Sequence, residues 1–366
     1  MIISAYITHK RSESFSDCQD RFSINGDTKS IALSDGMSQS IFQKYWAEIL
    51  VNTFTSNPEW VPTIDSVREL SGLWRKRVND QIEIQKKEGV PTWRAERNLI
   101  DGISAGATFL GIRFTGYNWV CDVLGDSCLI HISKNKIKSI FTSENGKNSF
   151  DNFPDFFDSN PTRDGKGKPM NFAGSLAIGD VLLMTSDPLS DFLLKNKNTK
   201  DEAFLVEQLT GIKSHIEFEE IVDRLRTKGM HNDDSTLIII KPDESEDFTI
   251  VNSDDISKLI TLESQSKKKT KSYSLNDPHQ SELNSQYVLT KEDDTECFNL
   301  SKELIKNDWY QIFDKDFENS LQSCIYKHLK GWNLTKGQRM KRTNELKAEI
   351  GLLIQHTLRK ANKKCQ

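Results

Sequence analysis

Residues 105–141 read AGATFLGIRFTGYNWVCDVLGDSCLIHISKNKIKSIF, and this stretch decides the fold class. Apolar residues alternate with polar ones or form short runs, and Gly, Asn and Lys separate the runs from one another. Such short alternating segments between turn residues are typical of antiparallel strands. The stretch predicts a meander of four strands, over residues 108–114, 118–124, 127–132 and 136–141.

The segments on both sides of this meander carry further strand and helix patterns. Apolar residues at helical spacing alternate along the chain with short apolar runs. The predicted strands cover residues 1–8, 22–24, 30–33, 181–185 and 236–241, and the predicted helices cover 38–54, 63–87, 190–195, 200–209 and 216–228. This order predicts an α+β fold in which two packed antiparallel sheets are flanked by helices.

The composition of the chain changes after Lys241. Residues 1–241 hold all the predicted strands and form the first predicted domain. Residues 242–296 are rich in Asp, Glu, Ser and Lys and predict a polar linker. Helical periodicity returns over residues 297–366 together with an excess of Lys and Arg, which predicts a helical, basic C-terminal extension.

Global charge and apolar content exclude several classes of protein. The net charge of −4 over 366 residues favours neither nucleic acid nor an anionic membrane as partner. No apolar run approaches the roughly 20 residues that a membrane span needs, and the N-terminus lacks the order of a signal peptide. The six cysteines form no CxxC pair. We therefore expect a cytoplasmic protein without a disulfide framework or a membrane partner.

Aspartates recur at predicted strand ends and in tight turns. A single aspartate of this kind is most often a turn or cap residue. A buried carboxylate is costly, however, unless it is paired or binds a metal, and hard divalent cations prefer oxygen ligands. A series of them in order along the chain therefore predicts a Mg²⁺ or Mn²⁺ site. The segments are Gln19-Asp20, Asp35-Gly36, Gly125-Asp126, Asp187 with Asp191, and Asp233-Asp234.

With Gly106-Ala107-Thr108, these segments resemble the ordered motifs of the bacterial branch of the type 2C metal-dependent protein phosphatases, over residues 1–241. The resemblance implies that Asp35 bridges two metals, which are Mg²⁺ or Mn²⁺, and that the Gly36 carbonyl supports one of them. It implies that Asp187 and Asp233 complete the coordination of the first metal and that Asp20 is a ligand of the second. A possible weaker third metal is assigned to Asp126 and Asp191.

The resemblance implies a serine/threonine protein phosphatase that hydrolyses phosphomonoesters by a metal-activated water. Asp35, Asp187 and Asp233 are its expected catalytic residues. Two metals about 3.5–4 Å apart share a water and clamp the phosphoryl oxygens, so no Cys or Ser nucleophile is needed. The expected partners are a phosphorylated protein substrate and a cognate protein kinase.

The sequence departs from the family pattern at three positions. Phe15 stands where many members have a phosphate-binding Arg, Pro188 replaces a Gly, and Asp234 replaces an Asn. Arg11, or alternatively Lys10, is the predicted substitute for this Arg, and His9 is predicted to contact the substrate, where it could protonate a leaving group. These departures leave a second hypothesis open, a catalytically weak or inactive module that binds phosphoproteins or acts as a scaffold. Nucleic-acid binding by the basic C-terminal residues is disfavoured, because basic helices are more often solvated or dock on proteins.

Overall fold

The computed structural model describes residues 1–38, 40–143 and 153–273, with side chains as far as residue 265. The strands are β1 (Ile2–Thr8), β2 (Arg21–Asn25), β3 (Ser30–Ser34), β4 (Gly106–Ala107), β5 (Phe109–Thr115), β6 (Asn118–Leu124), β7 (Cys128–Ser133), β8 (Lys136–Phe141), β9 (Phe157–Asp158), β10 (Met170–Ser175), β11 (Val181–Thr185), β12 (Ser235–Lys241) and β13 (Thr249–Ser253). The helices are α1 (Gln43–Ser56), α2 (Ile64–Arg68), α3 (Ser71–Lys87), α4 (Trp93–Ile100), α5 (Asp187–Asn196), α6 (Glu202–Thr210), α7 (His215–Thr227) and α8 (Ile256–Tyr273).

Two sheets form the centre of the fold. The first sheet has six strands in the order β13-β1-β12-β11-β7-β8, and the second has five in the order β10-β6-β5-β3-β2. Neighbouring strands are antiparallel in both sheets, except that β13 pairs with β1 in parallel. A short pair, β4 with β9, stands apart from both sheets.

Three apolar clusters show how these layers are held together. One cluster joins the inner faces of the two sheets, with Ala5 and Met184 from the first sheet against Leu33 and Leu110 from the second. Another packs α5, α6 and α7 on the outer face of the first sheet, and the third packs α1 and α3 on the second sheet. Burial of apolar surface on both faces of each sheet stabilises this four-layer arrangement.

The α+β fold class with two antiparallel sheets flanked by helices is confirmed. The prediction of a single four-stranded meander is wrong in one pairing, because β5 and β6 belong to the second sheet while β7 and β8 belong to the first. The chain crosses between the sheets at Gly125, whose φ of +105° is accessible mainly to glycine. A Cβ there would lie 2.7 Å from the carbonyl oxygen of Asp155, so the crossing also needs the missing side chain.

The stretch predicted as a polar linker contains regular structure in its described part. Residues Thr249–Ser253 form β13 and Ile256–Tyr273 form α8. Most residues of β13 are exposed, so its sequence lacks the apolar pattern of a buried strand, and backbone pairing with β1 holds it. The C-terminal extension over residues 297–366 lies outside the described residues and stays a prediction.

Two further features concern helices. The helix predicted over residues 63–87 is divided into α2 and α3, and the Thr63 side chain caps α2 by accepting from the N–H of Ser66. Among the helices of the described ranges, none combines the length and apolar character that a membrane crossing requires.

Candidate metal centre

The predicted aspartates of the first sheet come together because several strand ends meet at one edge. β11 and β12 pair with Thr185 opposite Leu237, so the end of β11 adjoins the start of β12. β7 begins at the same edge, since Cys128 pairs with Thr185. The aspartates that flank these strand ends are Asp126, Asp187 and Asp233.

The second sheet contributes Asp35, which directly follows β3. The Asp35 carbonyl accepts from the N–H of Thr108 at 2.9 Å, and the Asp35 N–H donates to the Thr108 hydroxyl at 3.2 Å. Gly36 then bridges to Ala107, and a Cβ at position 36 would lie 2.8 Å from the side chain of Gln43. The Asp-Gly pair and the Gly-Ala-Thr segment therefore hold each other in place.

These residues line one pocket of about 490 Å³. Five of the predicted aspartates lie on its wall together with Gly36, so the structure brings together segments that are far apart in the sequence. The lining residues are Asp35, Gly36, Met37, Ser38, Thr108, Asp126, Pro154, Asp187, Pro188, Asp191, Lys195, Gly229, His231 and Asp233.

The electrostatics of the pocket are those of crowded carboxylates. Burial, followed by the charges of Asp20 and Asp187, raises the pKa of Asp35 well above its ordinary value. Burial, followed by the charges of Asp126 and Asp233, does the same to the pKa of Asp187. Like charges in a poorly hydrated site disfavour ionisation unless a cation compensates them.

Asp20 is fully buried and is not among the residues that line the pocket. Its Oδ2 accepts from the Thr236 hydroxyl at 2.7 Å, whereas its Oδ1 accepts no hydrogen bond from the residues that the structure describes. Burial, followed by the charge of Asp234, raises the pKa of Asp20 to about 7. A buried carboxylate oxygen without a donor is the feature that a hard cation satisfies.

Asp234 ties the last motif to the first. Its two carboxylate oxygens accept from the backbone N–H groups of Lys10, at 2.9 Å, and Gln19, at 2.7 Å. An asparagine offers one acceptor oxygen in place of two, so the replacement of the family's Asn by Asp suits this double contact. Asp234 directly follows Asp233, which lines the pocket. Its two contacts thereby position the loop that carries Asp20.

The two predicted substrate-binding residues are placed elsewhere. Arg11 pairs with Asp223 at 3.0 Å and also donates to the carbonyl of Asp223. The His9 ring packs edge-on against Phe15, with 4.7 Å between ring centroids. Phe15 itself is only 6% exposed and also contacts the ring of His215, so this position belongs to the core. The structure does not bring Arg11 or His9 into the pocket.

The pocket also contains residues that were not predicted as site residues. Lys195 lines it and forms an ion pair with Asp191, four residues earlier on α5. His231 lines it two residues before Asp233. The spacing of Asp187, Asp191 and Lys195 by four residues was the available signal, because such residues share one face of a helix.

The donor set fits hard divalent cations, since carboxylate oxygens dominate the pocket and Asp20 adds an unsatisfied one. Within the described part of the chain, no three acidic, histidine or cysteine side chains are already arranged around a single metal position. The residues therefore match a metal site in type, burial and charge, while the carboxylates line a common pocket rather than meet at one point.

No family model matches the chain, and no curated protein matches it. Solved structures do. PppA of Pseudomonas aeruginosa, described as a key regulatory component of T6SS, is 15% identical over 66% of this chain and 97% of its own, with a TM-score of 0.43. The Ser-Thr phosphatase MsPP of Mycobacterium smegmatis, of the PPM type and in complex with cacodylate, is 17% identical over 66% and 98%, also with 0.43. The catalytic domain of the phosphatase PstP with two manganese ions is 15% identical over 65% and 96%, with 0.39. The chain is similar to these solved phosphatases at 15–17% identity and with TM-scores of 0.39–0.43. What its pocket can do depends on its own aspartates.

Proposed function

We propose that this chain is a Mg²⁺- or Mn²⁺-dependent phosphatase that hydrolyses phosphomonoesters on serine or threonine residues of proteins. One observation carries the proposal, namely that aspartates from separate segments line a single pocket in which burial and mutual repulsion raise the pKa of Asp35 and Asp187. Protein folding tolerates such a cluster when bound cations compensate it, which makes the cluster a candidate functional site.

In this proposal, the aspartates act as metal ligands. Bound divalent cations would supply activation of water and neutralisation of the phosphoryl charge. Asp35, Asp187 and Asp233 are the proposed catalytic ligands, and Asp20, Asp126, Asp191 and the Gly36 carbonyl complete the proposed set.

The chain's own residues orient these ligands. Thr108 fixes the backbone of Asp35 through two hydrogen bonds. The Lys10 ammonium lies 3.4 Å from Oδ1 of Asp233, and the N–H of Asp234 donates to the same oxygen at 2.9 Å. These partners hold the carboxylate in one orientation, as the outer contacts of metal ligands commonly do.

The test is turnover of para-nitrophenyl phosphate and of a phosphothreonine peptide by the full chain. Metal-stripped wild type should be inactive, and Mn²⁺, the metal bound to PstP, should restore activity. Asp35→Asn should remain inactive with Mn²⁺. Asp180→Asn is the matched control, because Asp180 is a buried aspartate that does not line the pocket. Full activity in EDTA, or an active Asp35→Asn protein, would refute the proposal.

A second candidate function is a phosphoprotein-binding module without turnover. Phe15 favours it, since the position of the family's phosphate-binding Arg is occupied by a core side chain. Binding of the phosphothreonine peptide to Mn²⁺-loaded protein without release of phosphate would identify this function. A cognate kinase as partner and a cytoplasmic location stay predictions.

A further inference from the structure

Helix α5 carries three charged residues that line the pocket at successive turns. Asp187, Asp191 and Lys195 follow one another by four residues, so they lie along one face of the helix. Exposure increases along this row, from 19% for the Asp191 side chain to 53% for that of Lys195. The helix therefore runs from the carboxylate cluster at Asp187 toward the solvent-exposed side of the pocket.

The carboxylates of the pocket require positive charge to compensate them, and binding of a phosphate anion requires more. Five aspartates line the pocket, and the two proposed stronger cations offset no more than four of their charges when the weakly bound third cation is absent. A phosphomonoester dianion would still meet a negative pocket, and association with such a site is disfavoured. Among the described residues that line the pocket, Lys195 is the one Lys or Arg.

Cations that lie near the first and last motifs are engaged in holding the backbone or other side chains. Arg226 is almost completely buried and donates to the carbonyls of His9 and Asp233. Arg11 is paired with Asp223. Lys195 differs because it lines the pocket. Its side chain is half exposed, and its ammonium has three donors on a flexible stem, so the ion pair with Asp191 leaves donors for a ligand.

We propose that Lys195 binds the phosphate group of the substrate, with Asp191 positioning its ammonium at the pocket. This inference rests on the proposed phosphatase function of the same pocket. It assigns to α5 both a metal ligand, Asp187, and the anion-binding residue that Phe15 does not supply. Charge-assisted hydrogen bonds from an ammonium to phosphate oxygens are roughly twice as strong as neutral hydrogen bonds, so their loss should lower the affinity for phosphate.

The experiment is calorimetric titration of inorganic phosphate into the Mn²⁺-loaded full chain. Lys195→Met should raise the phosphate Kd by about tenfold, and Lys195→Arg should stay within about threefold of wild type. Lys200→Met is the matched control, because Lys200 is exposed and does not line the pocket, and its phosphate Kd should be unchanged. The Mn²⁺ Kd of the two stronger proposed sites, titrated separately, should be the same in all four proteins, because Asp191 is assigned to the weaker third site.

Several outcomes would overturn the inference. An unchanged phosphate Kd in Lys195→Met would do so, as would no phosphate binding by wild type. A Mn²⁺ Kd that rises in Lys195→Met as much as the phosphate Kd would show that Lys195 acts only by holding Asp191. Turnover is measured in parallel. If wild type binds phosphate through Lys195 but releases no phosphate from substrate, the phosphatase proposal is refuted and the inference about Lys195 is supported. If Lys195→Met turns over substrate with an unchanged KM, the inference about Lys195 alone is refuted.

Discussion

The two ends of β11 carry aspartates in opposite circumstances. Asp180 directly precedes the strand and lies 3.0 Å from the Nε2 atom of His131. Burial acts to raise the pKa of Asp180, but hydrogen bonds from Ser133 and His131 bring it below its ordinary value. Asp187 follows the strand at its other end, and there burial and neighbouring carboxylates raise the pKa well above that value.

This difference separates a structural acid from a candidate functional one. At Asp180 the protein itself supplies hydrogen-bond donors, so ionisation is favoured without any ligand. At Asp187 the protein supplies further negative charge, and the ionised form needs a partner from outside the chain. Both residues are aspartates next to the same strand, and the groups that surround each carboxylate distinguish them.

The largest expected effect is on phosphatase activity, when Asp187 at the pocket end of β11 is substituted. Asp187→Asn should lower Mn²⁺-dependent phosphatase activity by more than about 100-fold, because even the outer partners of metal ligands are worth ~10–100-fold. The same substitution should raise the melting temperature of the metal-free protein, since it removes one of the repelling charges. Steady-state kinetics and calorimetric melting measure the two effects. Wild-type activity, or a lower metal-free melting temperature with normal secondary structure, would contradict the assignment of Asp187.

Metal and pH should act together on stability. Because burial holds the pKa of Asp35 and Asp187 above the unfolded value, and that of Asp20 at about 7, these groups stabilise the metal-free fold when protonated. That contribution is present below the unfolded pKa near 3.8 and is lost as the pH rises through the folded values. Metal-free protein should therefore lose stability as the pH rises from the unfolded pKa near 3.8 through the folded pKa of about 7 for Asp20, and Mn²⁺ should restore it by ~2.7 kcal/mol at 100 times its Kd.

Melting curves in EDTA and in Mn²⁺ at several pH values check this coupling. The difference between the two curves should be larger at pH 8 than at pH 6. Comparing the two conditions at each pH cancels the pH dependence that comes from groups outside the pocket, such as His215. Burial acts to lower the pKa of His215, but hydrogen bonds with Asp254 and Glu219 raise it to about 9. A Mn²⁺ effect that does not vary with pH would show that the carboxylates are already ionised without metal.

Substitution of Asp180, at the other end of β11, should lower the stability of the fold and leave activity unchanged. Asp180→Asn should cost about 1–3 kcal/mol, because a buried partner of His131 and of the Ala177 N–H is weakened. Activity and the Mn²⁺-induced gain in melting temperature should match wild type. A double-mutant cycle with His131→Gln isolates the pair, and a coupling energy near zero would show that the two side chains do not support each other.

The smallest expected effect is at Asp126, which lines the pocket at the crossing between the sheets. The proposed third metal is weakly bound, so Asp126→Asn should reduce activity by about tenfold or less, since the two proposed stronger metal sites keep their other ligands. Its activity is compared with that of Asp187→Asn at saturating Mn²⁺. A loss as large as that at Asp187, in folded protein, would place Asp126 among the essential ligands.

Much of the fold was predictable because its signals are local. The strand segments around residues 105–141 agree closely with β5 to β8, since alternation of side chains follows from the geometry of a single strand. Their pairing was not predictable, because the turn at Gly125 leads from one sheet to the other instead of forming a hairpin. β13 was not predicted, because its side chains are mostly exposed and form no apolar pattern. Backbone pairing with β1 holds it in the sheet.

The candidate site divides in the same way. Spacing along the chain predicted aspartates at strand ends, because that relation is local. The helix predicted over residues 190–195 did not include Asp187, which the structure places in the first turn of the same helix as Asp191. Which aspartates receive hydrogen-bond donors from the protein, and which face other carboxylates, depends on the tertiary structure. Asp180 finds His131 across 49 residues of sequence, whereas Asp187 meets Asp126 and other carboxylates. Partners at that distance are chosen by sheet pairing, and the charge of a carboxylate depends on those partners rather than on its neighbours in the chain.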